Sequence, residues 1–196
     1  MTNSMTAIAL LLAYLLGSIP TGYWLGRAIP KIDIREHGSK NIGATNTLRV
    51  LGKKLGALAL LGDIAKGAAA VLLVAEISPW EHAPIACGLT AILGHTFSLF
   101  LKFEGGKGVA TSAGAFLALA PIPTTIAITT FAVTLAATRL VSLGSVLAAI
   151  VLTIALWATP DHPLTTRIIG TFVPMIVIIR HRDNIKRIIA GKENKL

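Results

Sequence analysis

Two short stretches of this chain gather the residue types that hold anions. The first is Gly38-Ser39-Lys40-Asn41-Ile42-Gly43-Ala44-Thr45-Asn46, followed by Arg49. Glycines let backbone N–H groups converge, and the side chains of Ser39, Asn41, Thr45 and Asn46 add further donors. A helix starting after Thr45 or Asn46 would contribute the positive end of its dipole. Arg49 would then stand on the first turn of that helix, placed for a forked contact to phosphate. The second stretch is Phe103-Glu104-Gly105-Gly106-Lys107-Gly108-Val109-Ala110-Thr111. It is not a P-loop, because Gly108 follows Lys107 in place of Ser or Thr and the spacing to an earlier glycine fails. Its parts still suit an oxyanion: Gly105, Gly106 and Gly108 surround a lysine, and a helix opens behind them. Taken alone, either stretch also reads as a flexible turn whose cations touch lipid headgroups.

Further polar residues interrupt apolar sequence. Asp63 and Lys66 face one another at i and i+3 inside an apolar run, where charges are costly and usually functional. An internal ion pair that orients the helix is the plainer account. Gly94-His95-Thr96-Phe97-Ser98 sets a lone histidine near the end of another run. Phe100 stands five residues after His95, so the His-x4-Asp pair of common acyltransferases is absent. Arg139 and Ser142 occupy a short turn. His181-Arg182-Asp183-Asn184 opens a basic tail in which His181 and Asn184 would share a helix face and could point back toward the loops. That tail also suits a polybasic amphipathic helix on anionic lipid. Cys87 is the single cysteine, a small packing residue that leaves no disulfide framework and no zinc site.

The elements that must position these residues are apolar. Of 196 residues, 54% are hydrophobic and only 14% charged, against about 25% charged in soluble domains. A membrane span needs roughly 20 apolar residues. Candidates are Met5–Leu25, Leu55–Ala75, Ala83–Leu101, Val109–Leu119, Ile122–Thr138, Leu143–Ala158 and Leu164–Ile179, with Pro121 and Pro123 forcing a sharp turn before the fifth. The fourth is short enough to be half-spanning, which leaves five or six spans as the fallback. Arg27–Lys54 holds seven of the cations, whereas the turns Glu76–His82 and Thr159–Pro163 hold none. The net charge of +9 therefore collects on one side. The Lys/Arg bias places that side in the cytoplasm, with the N-terminus outside and the C-terminus inside. The expected fold is an all-α integral membrane protein of seven transmembrane helices, one domain over residues 1–196. No soluble body remains to carry a nucleic-acid patch. The halves show no matching interrupted helices of the kind a repeat-built transporter has.

With these residues assembled, the chain resembles the PlsY family of bacterial acyl-phosphate:glycerol-3-phosphate acyltransferases nearly end to end. The likeness runs through Gly17-Ser18-Ile19-Pro20-Thr21-Gly22, the stretch from Gly38 to Asn46 with Arg49, and Asp63-x-x-Lys66-Gly67. It continues in Gly94-His95-x-Phe97-Ser98, in Gly105 to Thr111, and in His181-Arg182-x-Asn184-Ile185 with Gly191-x-Glu193. Lys40 and Glu104 depart from it, standing where a small and a basic residue are common. The resemblance implies a multi-pass protein of the cell inner membrane with its active-site loops on the cytoplasmic side. It implies transfer of a fatty acyl group from acyl phosphate to the 1-hydroxyl of sn-glycerol 3-phosphate, giving lysophosphatidic acid, with no metal and no cofactor. Carried over by motif, Ser39, Arg49 and Lys107 are the expected catalytic residues, and Ser142, His181 and Asn184 join the site. Asn41, Gly43, Thr45, Asn46, Gly105, Gly106 and Gly108 complete the expected substrate contacts. The expected partners are the two substrates and membrane lipid, on a monomer that binds no nucleic acid.

Acyl phosphate is a mixed anhydride, so direct attack by the glycerol hydroxyl needs no acyl-enzyme. Two other classes compete on sequence alone. A transporter of a phosphorylated metabolite would use the same basic loops, but it should line a path to the outer side with cations. The outer turns carry Glu76, Glu81, His82, Asp161 and His162 instead. A non-catalytic lipid-binding scaffold would not need several phosphate-type loops on one face.

Overall fold

A computed structural model describes residues 2–196. Among the described residues every regular element is helical. The main helices are α1 (Thr2–Ser18), α2 (Thr21–Ala28), α3 (Ala44–Leu51), α4 (Lys53–Ala69) and α5 (Ala83–Thr96). They are followed by α6 (Val109–Leu119), α7 (Pro121–Thr138), α8 (Val141–Ala158), α9 (Leu164–Arg180) and α10 (Arg182–Ile189). Among the described residues four helical stretches are long and apolar enough to cross a membrane: Lys53–Ile77, Ala83–Leu101, Pro121–Thr138 and Val141–Ala158. Two bent pairs, α1 with α2 and α9 with α10, raise the number to six if each is one span, and α6 is a shorter apolar helix. Leu61, Leu73, Ile122, Val133 and Ile154 are exposed large apolar side chains on these helices, as a lipid-facing surface requires.

The first apolar run differs from the expected single helix. It breaks at Ile19–Pro20 and turns by 48°. Pro20 supplies no N–H and disfavours helical geometry in the residue before it, which mean hydropathy does not register. The later boundaries agree with the sequence reading to within a few residues. α7 begins at Pro121, where a missing N–H costs nothing.

The helices divide into two compact units, one through Ala118 and one from Leu119 to Leu196. In the first, α1 packs on α5 and α3 on α4. Small residues make the contacts close: a Cβ on Gly17 would strike the Ala91 backbone, and one on Gly56 would strike Leu48. Gly67 and Gly114 do the same between α4 and α6, each lying against the other helix's backbone. Such glycine seams substitute for hydrophobic drive where lipid is as apolar as the core. Ala9, Ala13, Ala70, Ala83, Cys87 and Ala91 form a tight core of this unit. In the second unit α8 packs between α7 and α9.

Candidate active site

The first glycine-rich stretch is built around Asn46. Its Nδ2 donates to Ile34 O (2.8 Å), His37 O (3.1 Å) and Asn41 O (2.8 Å), and its Oδ1 accepts from Ser39 N–H (2.8 Å). Asn46 is 1% exposed. Its carboxamide is spent on the loop, so its role is to shape the stretch and fix Ser39, not to reach a ligand. Gly38 lies at φ 58°, and a Cβ there would collide with Asn46 Oδ1. Upstream, Asp33 caps a short turn by accepting from Arg35 N–H (3.0 Å) and Arg35 Nη2 (2.7 Å). The Arg35 guanidinium lies 4.6 Å over the Tyr23 ring. The hydrogen bond from Arg35 holds the Asp33 carboxyl down at about 2.

α3 starts earlier than the sequence suggests. Asn41 Oδ1 accepts from Gly43 N–H (2.8 Å), and Gly43 in extended geometry caps a helix whose first residue is Ala44. Ala44 and Thr45 thus provide first-turn amides, which have no intrahelical carbonyl to serve. Arg49 consequently lies in the last turn of α3, not the first. It is exposed, as is Ser39. Any forked phosphate contact must therefore come from beside the helix and not along its dipole.

The second stretch is strapped to the open end of α5. Gly105 N–H donates to Thr96 O (3.1 Å) and Gly106 N–H to His95 O (2.9 Å), satisfying late carbonyls of that helix. A Cβ on Gly105 would strike His95 O, and one on Gly106 would strike the His95 ring. Gly108, at φ 80°, turns the chain into α6, and its carbonyl accepts from Ser112 N–H (2.7 Å). Lys107 is thereby held, half-buried, between two fixed glycines at the N-terminal end of α6. The hydroxyls of Thr111 and Ser112 on the first turn of α6 are buried and make no hydrogen bond to any described residue.

Within the second unit, a carboxylate that sequence reasoning assigned no role holds the expected residues. Glu193 Oε1 accepts from Ser142 Oγ (2.8 Å) and Asn184 Nδ2 (2.6 Å), while Oε2 accepts from Arg187 Nε (2.7 Å). The geometry follows from Gly191. At φ 66° it ends α10 in a Schellman turn, with Gly191 N–H on Ile188 O and Lys192 N–H on Arg187 O. Burial pushes the Glu193 carboxyl up, but the hydrogen bonds from Asn184, Ser142 and Arg187 outweigh it and hold the group below the usual range. Its signals in the sequence were the Gly191-x-Glu193 motif and its place as one of two acidic residues, with Asp183, in a basic tail. His181 caps the junction of α9 and α10 and lies buried with Nδ1 2.8 Å from Val177 O. It is the N-cap residue of α10, its carbonyl accepting from Ile185 N–H (2.9 Å), and Asn184 follows on the first turn of the same helix.

A family model described as glycerol-3-phosphate acyltransferase matches residues 7–191. A glycerol-3-phosphate acyltransferase of Trichlorobacter lovleyi is 48% identical over 183 residues, covering 93% of each chain. The crystal structure of PlsY, an integral membrane glycerol 3-phosphate acyltransferase, in its glycerol 3-phosphate form matches with a TM-score of 0.90. Its identity is 33%, over 97% of this chain and 95% of that one. The lysophosphatidic acid form of PlsY gives 0.87 at the same identity and coverage. Two anion-suited loops on an all-helical membrane scaffold agree with these likenesses, and the chain belongs to the glycerol-3-phosphate acyltransferase family.

Proposed function

We propose that the chain transfers the acyl group of a fatty acyl phosphate to the 1-hydroxyl of sn-glycerol 3-phosphate, with Ser39, Arg49 and Lys107 holding phosphate oxygens. The hydroxyl oxygen attacks the acyl carbonyl carbon, the acyl C–O bond to phosphate breaks, and inorganic phosphate leaves with the hydroxyl proton. The products are lysophosphatidic acid and hydrogen phosphate, so neither a covalent acyl-enzyme nor a side-chain base is needed. The observation that carries the reading is the second stretch. Lys107 stands between strapped glycines at the N-terminal end of α6, a fixed cation beside first-turn amides for charge that develops on oxygen. Positioning of two anionic substrates by such donors supplies rate without proton transfer from the protein.

Ser142, His181 and Asn184 orient glycerol 3-phosphate in this reading, with Glu193 setting the first and last of them. Gly108, Asn41 and Thr45 give donors to the substrates, while Gly43, Gly105 and Gly106, whose N–H groups serve Asn41 Oδ1, Thr96 O and His95 O, let the backbone approach them closely. All residues act as one domain, a monomer of seven spans made of the four long helices, the two bent pairs and α6. The basic loops face the cytoplasm from the inner membrane, with the N-terminus outside. Purified protein supplied with labelled glycerol 3-phosphate and, separately, acyl phosphate, acyl-CoA or acyl carrier protein tests the donor. Labelled lysophosphatidic acid with acyl phosphate alone is expected. Equal or better product from a thioester would sink the reading.

A further inference from the structure

The segment Gly17–Gly22 and the charged pair in α4 take no part in the reaction as described, yet they form the polar centre of the first unit. At the break between α1 and α2, Ser98 Oγ donates to Ser18 O (2.5 Å) and Lys66 Nζ to Ile19 O (2.7 Å). Backbone carbonyls in an interrupted membrane helix require such partners. Lys66 Nζ also lies 2.9 Å from Asp63 Oδ1. The same oxygen accepts from Thr21 Oγ1 (3.1 Å) and stands 3.6 Å from His95 Nδ1. Asp63, Lys66 and His95 are all buried.

Two arms lead outward from this hub. Thr21 is followed by Gly22, where a Cβ would collide with Ile42 O and Thr47 Oγ1. The turn that touches Asp63 is therefore the floor beneath the first glycine-rich stretch. On the other side, His95 accepts Gly106 N–H on its carbonyl, and its ring fills the space a Gly106 side chain would need. That fixes the residue immediately before Lys107. One carboxylate of α4 thus ties together α2 and α5, the two helices that support the stretches.

We propose that Asp63, with Lys66 and His95, is a positioning residue that keeps the two glycine-rich stretches in register, so that Ser39, Arg49 and Lys107 act on the same pair of substrates. The proposal rests on the reading that these three side chains hold substrate phosphate. Asp63→Asn combined with Lys66→Met removes both charges at once and strands neither in apolar surroundings. Because Ile19 O loses its donor, this variant is expected to unfold in detergent below the parent temperature yet to stay folded under assay conditions, while kcat/KM for acyl transfer to glycerol 3-phosphate falls at least tenfold. Parent-like kcat/KM would overturn the proposal.

Should that variant fail to fold, Gly106→Ala and His95→Ala, alone and together, ask the same question. If His95 sets the loop through its contact with Gly106, the double variant loses no more than the worse single one. Losses that multiply would count against the coupling and overturn it. Lys107→Ala assayed alongside separates the two levels. Near-parent turnover there removes the phosphate reading itself, and the positioning proposal with it. Loss at Lys107 with intact hub variants removes only the positioning role.

Discussion

Asn46 serves four hydrogen bonds from one buried carboxamide, and this decides what the neighbouring residues can do. Asn46→Asp keeps the acceptor and loses the donors, leaving the carbonyls of Ile34, His37 and Asn41 unserved. The –NH2 has two N–H donors, one of them shared between carbonyls, and net values near 1 kcal/mol per donor predict a loss of about 2 kcal/mol. Thermal unfolding in detergent reads it, and an unchanged transition with unchanged activity would refute the assignment. Sequence showed that this stretch suits anions, since Gly, Ser, Thr and Asn are unusually dense there. It did not separate residues that face a ligand from residues that build the loop. That separation depends on side-chain directions: Asn46 points inward, and Asn41 starts α3 early enough to carry Arg49 to its far end.

Elements were legible wherever hydropathy defines them, and less so where single groups do. The seven apolar runs lie on helices close to their expected ends, but the bend at Pro20 and the return of the tail onto α8 escaped the pattern. The tail depends on Gly191 to turn and on Glu193 to hold, two residues with no periodic signal. The Glu193 carboxyl is lowered in the folded chain, so its stabilisation is complete above its ordinary value of 4.5. It fades as pH falls through the lowered one. Glu193→Gln should therefore unfold at a lower temperature than the parent at pH 7, with the gap narrowing as pH falls below 4.5. A gap independent of pH would refute the charge-assisted latch. On the α4–α6 seam, Gly114→Ala pushes a methyl into Ile64 O. It is expected to cost about 1–3 kcal/mol, as overpacking does; parent-like stability would show that the helices can separate freely.

The whole molecule couples a lipid-facing helical body to a net charge of +9. Charge bias, more than any fold detail, proposes its orientation. Single cysteines at Glu76, Glu81 or Asp161 should react with an impermeant thiol reagent from the outer face of intact cells. Cysteines at Lys40 or Lys186 should react only after permeabilisation, and the reverse pattern would invert the proposed topology. What the loops do with that orientation is tested most directly by steady-state kinetics of purified protein with acyl phosphate and labelled glycerol 3-phosphate, comparing the parent with Lys107→Ala. Loss of one preorganised donor to a developing oxyanion predicts a fall in kcat/KM of roughly 100-fold or more. Near-parent turnover by the folded Lys107→Ala protein would contradict the account.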